Sequence, residues 1–245
     1  MTSTKPILFS GPMEMRAILD GRKTQTRRVV TPQPTMEVRY QQRMWGHPTL
    51  GGEFAESVFG GCMSKLSPCP YGCPGDLLWV RESWAQVPAT AYRHSCGVPQ
   101  TVNPDDEYWA AIYRATFDRS QGGIPWRSSI HMPKWACRLW LRVTDVRVQR
   151  VQEISAKDII AEGAVVRSHD VEAFAMIGAN PKCPVSAFDN CVYPDLRSLW
   201  AAGWDSINSK RPGCSWADNP WVWAVTFERT EAPLAWAARR NGGAL

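Results

Sequence analysis

Apolar and polar positions along the chain change period several times, and each change marks an element. Lys5 to Phe9 (KPILF) is a short apolar run that predicts a first strand. Pro12 suits the first turn of a helix, where its missing N–H costs nothing, with Ser10 or Gly11 as the cap. Met13, Ala17 and Ile18 give this helix a short buried stripe, and Gly21 stands where a left-handed residue would end it. Thr24 to Val30 is rich in β-branched residues and predicts a strand. From Thr31 to Pro68 periodicity is lost; Pro32, Pro34 and Pro48 punctuate a long excursion carrying at most a small hairpin. Pro70, Gly72, Pro74 and Gly75 then predict a tight turn, and Leu77 to Glu82 a strand.

Residues 85 to about 133 form a second excursion, locally acidic at Asp105, Asp106 and Glu107, in which 108–117 (YWAAIYRATF) fits an aromatic strand or a short helix equally. Between Trp135 and Val151, Leu139, Leu141 and Val143 share one face while Arg138, Trp140 and Arg142 share the other, and Asp145 shifts the register, which predicts a bulge or turn there. Ser155 with Asp158 resembles a capping box, so a helix runs to about Glu162 and stops at Gly163. After an irregular stretch at 165–194, Tyr193-Pro194-Asp195 opens a helix whose Leu196, Leu199, Trp200, Trp204 and Ile207 form one stripe. Trp221, Trp223, Val225 and Phe227 alternate with Val222, Ala224 and Thr226 in a closing strand, and the tail beyond Glu231 reads as weakly ordered. The pattern is that of an α+β, β-rich domain over residues 1–245, with two or three helices and insertions at about 31–68, 85–133 and 165–194.

Composition narrows the function. A hydrophobic share of 44% lets 245 residues bury a real core. Net charge is +5, which permits a nucleic-acid partner without demanding one, since no Lys/Arg block is long enough to be a tail. The start, MTSTKPILF, lacks the apolar core of a signal peptide, and no run approaches the ~18 apolar residues of a membrane span. A cytoplasmic protein without a membrane partner is expected, and its eight cysteines are then thiols or metal ligands rather than disulfides.

Four cations (Arg22, Lys23, Arg27, Arg28) and two hydroxyls (Thr24, Thr26) gather at the helix–turn–strand junction, where an anionic or strongly polar ligand is the natural partner. Gly21-x-Lys23-x-x-Thr26-x-Arg28 resembles the signature of the ASCH family, whose fold is similar to the PUA barrels that bind RNA. Gly75-Asp76 before an apolar strand is again similar to that group, and most of the chain resembles prophage-encoded ASCH proteins. Most members have glutamate where Thr26 stands; threonine there is similar to the bacterial acetylcytidine amidohydrolases, in which the lysine and the threonine are catalytic. The resemblance implies a PUA-like β-barrel core and a pocket for a nucleobase, a nucleoside or RNA. It also implies amide hydrolysis on an N-acylated cytidine, with Lys23 activating Thr26, Glu162 shuttling the proton and Arg28 stabilising charge or holding the pocket. The alternatives are a non-catalytic module for RNA or a modified base, and a phage accessory protein acting through protein contacts.

The residues themselves support the chemistry within limits. A threonine hydroxyl needs a base, and a lysine among cations is a candidate. Strict alternation puts Thr24, Thr26 and Arg28 on one face and Lys23, Gln25 and Arg27 on the other, so a Lys23–Thr26 pair requires Lys23 to lie in the turn. Glu162 sits at a helix C-terminus, where the macrodipole disfavours a carboxylate; either a proton-shuttling role opposite Lys23 or an ion pair with an arginine would justify it. Trp79 and Glu82, on a strand running toward the cleft, are added as substrate-binding candidates beside Gly21, Arg22, Thr24, Arg27 and Arg28, and Trp84 and Trp140 as possible stacking platforms. Cys62, Cys69 and Cys73, with His94 and Cys96 downstream, lack the paired C-x2-C spacing of zinc sites, and the scheme needs no metal and no cofactor.

Overall fold

The computed structural model describes residues 3–33, 69–117, 119, 122–166, 171–172, 196–234 and 236. Five strands make the main sheet: β1 (Thr4–Leu8), β2 (Gln25–Val29), β3 (Leu77–Arg81), β7 (Trp140–Arg150) and β10 (Trp221–Thr230), in the order β1-β3-β7-β10-β2. The β1–β3 pair is parallel and every other neighbour antiparallel. Three more strands, β4 (Trp84–Pro88), β5 (Thr101–Val102) and β6 (Trp109–Tyr113), form a second sheet in the order β4-β6-β5, and β8 (Val165–Val166) pairs with β9 (Val171–Glu172). The helices are α1 (Pro12–Leu19), α2 (Ala156–Ala161) and α3 (Leu196–Asn208). The α+β, β-rich class predicted from the pattern is therefore the class found.

Strand β10, paired on both edges, is apolar on both faces: Trp223, Val225 and Phe227 join Leu78, Leu141, Val143 and Ile7 in the largest core cluster, while Val222 packs with Val151, Ile159, Trp200 and Trp204. Against it, β7 runs as one strand of 11 residues. The predicted register shift is present one residue early: Thr226 faces Asp145 but Phe227 faces Val143, so Thr144 is the extra residue. The bulge leaves Thr144 and Asp145 exposed and turns both Val143 and Val146 inward, which uninterrupted alternation could not do.

The sheet does not close by hydrogen-bonded strands: among the described residues no backbone ladder joins β1 to β2. A side chain spans the gap instead, the Arg28 guanidinium donating to the Leu8 carbonyl at 2.7 Å. In α1 the buried residues are Met15, Ala17 and Ile18; Met13, expected in the stripe, is only half-buried, because Met15 one turn from Ile18 takes the core-facing place. In α3, Leu199, Trp200 and Trp204 are buried as expected, whereas Ile207 is exposed. Residues 108–117 satisfy both readings in turn, as a strand to Tyr113 and then a 3-10 turn from Arg114 to Thr116.

The segment 85–133 is more regular than an excursion, since Ala85, Val87, Ala111, Ile112 and Phe117 supply the second sheet with a core of its own. The Gly75-Asp76 turn is organised by its carboxylate: Asp76 Oδ1 accepts from the Ser3 amide at 2.9 Å and Oδ2 from the Cys73 amide at 3.1 Å. Gly72 is required there, with φ +92° and room for no Cβ, which would come 2.6 Å from Asp76 Oδ2. The insertion at 31–68 beyond Gln33, most of 165–194, Cys62, and the opening residues of the α3 helix lie outside the described residues.

Candidate functional site

Three backbone connections bring the signature residues to one place. Gly21 adopts φ +75°, and the chain turns so that the amides of Arg22 and Lys23 both donate to the Ala17 carbonyl (2.9 and 3.0 Å). One residue on, the Thr24 amide donates to Ala161 O at 2.8 Å and Thr24 O accepts from the Phe227 amide at 2.8 Å. The turn is thereby fixed to the ends of α1 and α2 and to β10. Lys23 precedes the first strand residue, Gln25, and so escapes the alternation that would have put it opposite Thr26.

Lys23 Nζ reaches the C-terminal end of α2, donating to Glu162 Oε2 at 2.9 Å and to the Glu162 carbonyl at 3.0 Å, with Glu14 Oε1 of α1 at 3.5 Å. It lies 5.9 Å from the centroid of the Phe9 ring, and the Arg28 guanidinium sits over the same ring at 5.3 Å. Glu162 is shared: its Oε1 accepts from Arg27 Nη1 at 3.1 Å, and Arg27 also donates to Gln25 Oε1 at 2.6 Å and to Asp158 Oδ2 at 3.0 Å. Lys23, Glu162 and Arg27 are each less than 5% exposed. Charges this deep are tolerable only when paired, and removing one partner strands the other. Two cations and a capped carbonyl offset the unfavourable helix end on which Glu162 sits. Asp158 closes the network by accepting from Arg147 at 3.0 Å. Burial pushes its carboxyl up, but the Arg147 hydrogen bond and the charges of Arg27 and Arg147 outweigh that and hold it below the ordinary value.

Of these groups, Glu14, Lys23, Arg27, Arg28 and Glu162 line a cavity of about 320 Å³, within the range of small-molecule sites. Thr26 lines it beside Lys23 and Glu162, and its hydroxyl makes no hydrogen bond to any described residue. Trp200, Trp204, Trp223 and Tyr71 give aromatic walls, and Arg28 and Arg211 add further cations. Burial raises the Tyr71 phenol above its ordinary value, while the charges of Arg28 and then Arg211 act against that, so both guanidiniums lie near enough to influence it.

Five of the residues selected from the sequence therefore meet in one cavity: Lys23, Thr26, Arg27, Arg28 and Glu162. Arg27 is there to hold Glu162 and Asp158, its terminal nitrogens engaged by protein acceptors. Gly21, Arg22 and Thr24 are exposed and outside the lining, with Arg22 paired to Asp20 at 3.0 Å. Trp79 and Glu82 do not line the cavity either. Trp79 carries Arg81 over its ring at 5.3 Å. Glu82 is buried against Arg138 in a two-pronged pair at 2.8 and 2.9 Å, and burial pushes its carboxyl up against the pull of Arg138. Trp84 and Trp140 are 2% exposed, packed with Tyr113 and Met132, and present no face for a base. Cys69 is buried and its thiol pushed up to about 11, chiefly by desolvation, while Cys73 Sγ lies 3.5 Å from Asp76 Oδ2. Among the described residues no three potential metal ligands gather, and no helix is long and apolar enough to cross a membrane.

Sequence reasoning missed Glu14, Tyr71, Arg211 and the cavity side of Trp223. Glu14 reads as a carboxylate complementing the N-terminus of α1, and Trp223 as one more core position of a strand. No protein-family model matches the chain, and no curated protein or solved structure matches it.

Proposed function

We propose that this cavity hydrolyses an amide on a small aromatic substrate, an N-acylated cytidine being the chemistry that fits best, within a chain whose open, side-chain-bridged sheet is a variant of the PUA-like ASCH barrel. One observation carries the reading: a buried lysine–glutamate pair shares a cavity with a threonine hydroxyl that has no partner among the described residues. A hydroxyl nucleophile needs a base beside it and a route for its proton, and the Lys23–Glu162 contact at 2.9 Å offers that route. Thr26 Oγ1 attacks the acyl carbon as Lys23, having passed a proton to Glu162, takes the hydroxyl proton. Glu162 protonates the departing amine, leaving an acyl ester on Thr26 that water then hydrolyses. The aromatic walls would bind the base by its faces.

The test is release of acetate from acetylcytidine by the purified protein, with Thr26→Ala and Lys23→Ala alongside. Turnover by the wild type, lost by at least about a hundredfold in each variant with the fold intact, is expected. Turnover indifferent to Thr26→Ala would overturn the nucleophile assignment. No turnover in any of the three would leave a cavity that binds without reacting.

A further inference from the structure

The charges lining the cavity do not cancel. Lys23, Arg27, Arg28 and Arg211 face Glu14 and Glu162, four cations against two carboxylates. Lys23 is matched by Glu162 and Glu14, and Arg27 by Glu162 and Asp158. Arg28 and Arg211 are left, and neither forms an ion pair with a carboxylate among the described residues. Arg28 is anchored by the Leu8 carbonyl and the Phe9 ring, Arg211 by Asn208 Oδ1 just beyond α3, and each guanidinium retains N–H groups that these contacts do not use. Tyr71, lining the same cavity, is influenced by both.

A neutral nucleoside has no use for two uncompensated guanidiniums. We propose that the ligand enters as a phosphate monoester, its phosphate held by Arg211, Arg28 and the Tyr71 hydroxyl. The inference rests on the reading of the cavity as a nucleoside site and deepens it: the substrate class becomes a mononucleotide. Guanidiniums suit this group because their planar N–H pairs match phosphate oxygens two at a time. A phenol adds a neutral donor. Arg28 then serves the phosphate, and the acyl end of the substrate lies toward Lys23 and Thr26. The exposed position of Arg211 puts the phosphate at the mouth, where its charge keeps contact with solvent.

Equilibrium binding of cytidine, cytidine 5′-monophosphate, inorganic phosphate and the trinucleotide CpCpC, which has phosphodiesters but no terminal phosphate, tests this, in the wild type, Arg211→Gln and Tyr71→Phe. Arg211 is exposed, so its substitution leaves the fold intact. The monophosphate should bind at least about tenfold more tightly than cytidine, a preference that weakens with salt, and Arg211→Gln should cut it to about threefold or less. Inorganic phosphate should displace the monophosphate. Equal affinity for cytidine and its monophosphate overturns the phosphate site while leaving the nucleoside reading standing. Arg211-dependent binding of inorganic phosphate with no binding of cytidine does the reverse. Tighter binding of CpCpC than of the monophosphate overturns the mononucleotide assignment in favour of a polymer, and a preference that survives both substitutions overturns the assignment to Arg211 and Tyr71.

Discussion

Glu162 is the residue in which sequence and geometry agree most closely. A carboxylate at a helix C-terminus demanded an explanation, and an ion pair with an arginine is present: Arg27 holds one oxygen at 3.1 Å, while Lys23 holds the other at 2.9 Å. Glu162→Gln keeps the shape and removes the proton acceptor. Acetate release should fall by at least about a hundredfold at a temperature where the variant is still folded, and stability by about 3–5 kcal/mol, because Lys23 and Arg27 lose their shared carboxylate. Retained turnover would remove Glu162 from the proton route. Trp79 and Glu82 lie outside the cavity lining for a physical reason: a place on a strand does not reveal what lies against each face of the sheet. Glu82 faces Arg138, whose guanidinium also stacks 3.9 Å from the centre of the Tyr113 ring. Glu82→Ala leaves that cation without its partner and should cost about 3–5 kcal/mol in urea unfolding, with KM for any substrate unchanged. A loss under about 1 kcal/mol would show that the pair is unimportant.

At the scale of elements, the helix–turn–strand junction was legible because each of its parts has a local cause: proline at the start of α1, a left-handed glycine at its end, β-branched residues after it. The bulge in β7 was legible within one residue, because apolar parity must switch somewhere between Val143 and Val146. The second sheet was not. Its strands are separated by turns rich in proline, glycine and acidic residues, and its shortest strand has two residues, too few for any period to register. Gly21 tests the junction directly. Nothing lies within 4 Å of a Cβ built there, so Gly21→Ala introduces no clash and only the strain of φ +75°. It should destabilise by about 1–2 kcal/mol and lower activity through the displacement of Lys23. A variant as stable and active as the wild type would mean that the turn does not depend on that conformation.

The described residues combine an open five-stranded sheet, its edge strands bridged by the Arg28 side chain to the Leu8 carbonyl, with a buried network of ions. That network should govern the acid limit of stability. The Asp158 carboxyl is held below its ordinary value in the folded state, so its contribution is complete above about pH 4, the unfolded value, and is lost as pH falls through the lower folded value. The stability gap between wild type and Asp158→Asn should accordingly be full at neutral pH and narrow below about pH 4 in urea titrations. A gap that stays constant into acid would contradict the network. The cavity was legible in part: the signature turn and Glu162 were chosen from the sequence, but Glu14, Tyr71, α3 and β10 come from distant places that no local pattern links to them.

Rapid-quench mass spectrometry of the wild type mixed with acetylcytidine tests most directly whether Thr26 is the nucleophile. An acetyl group on the peptide containing Thr26, formed and lost within the turnover time and absent from Thr26→Ala, is expected. Turnover of acetylcytidine with no acetylated Thr26 at any time point would contradict that role.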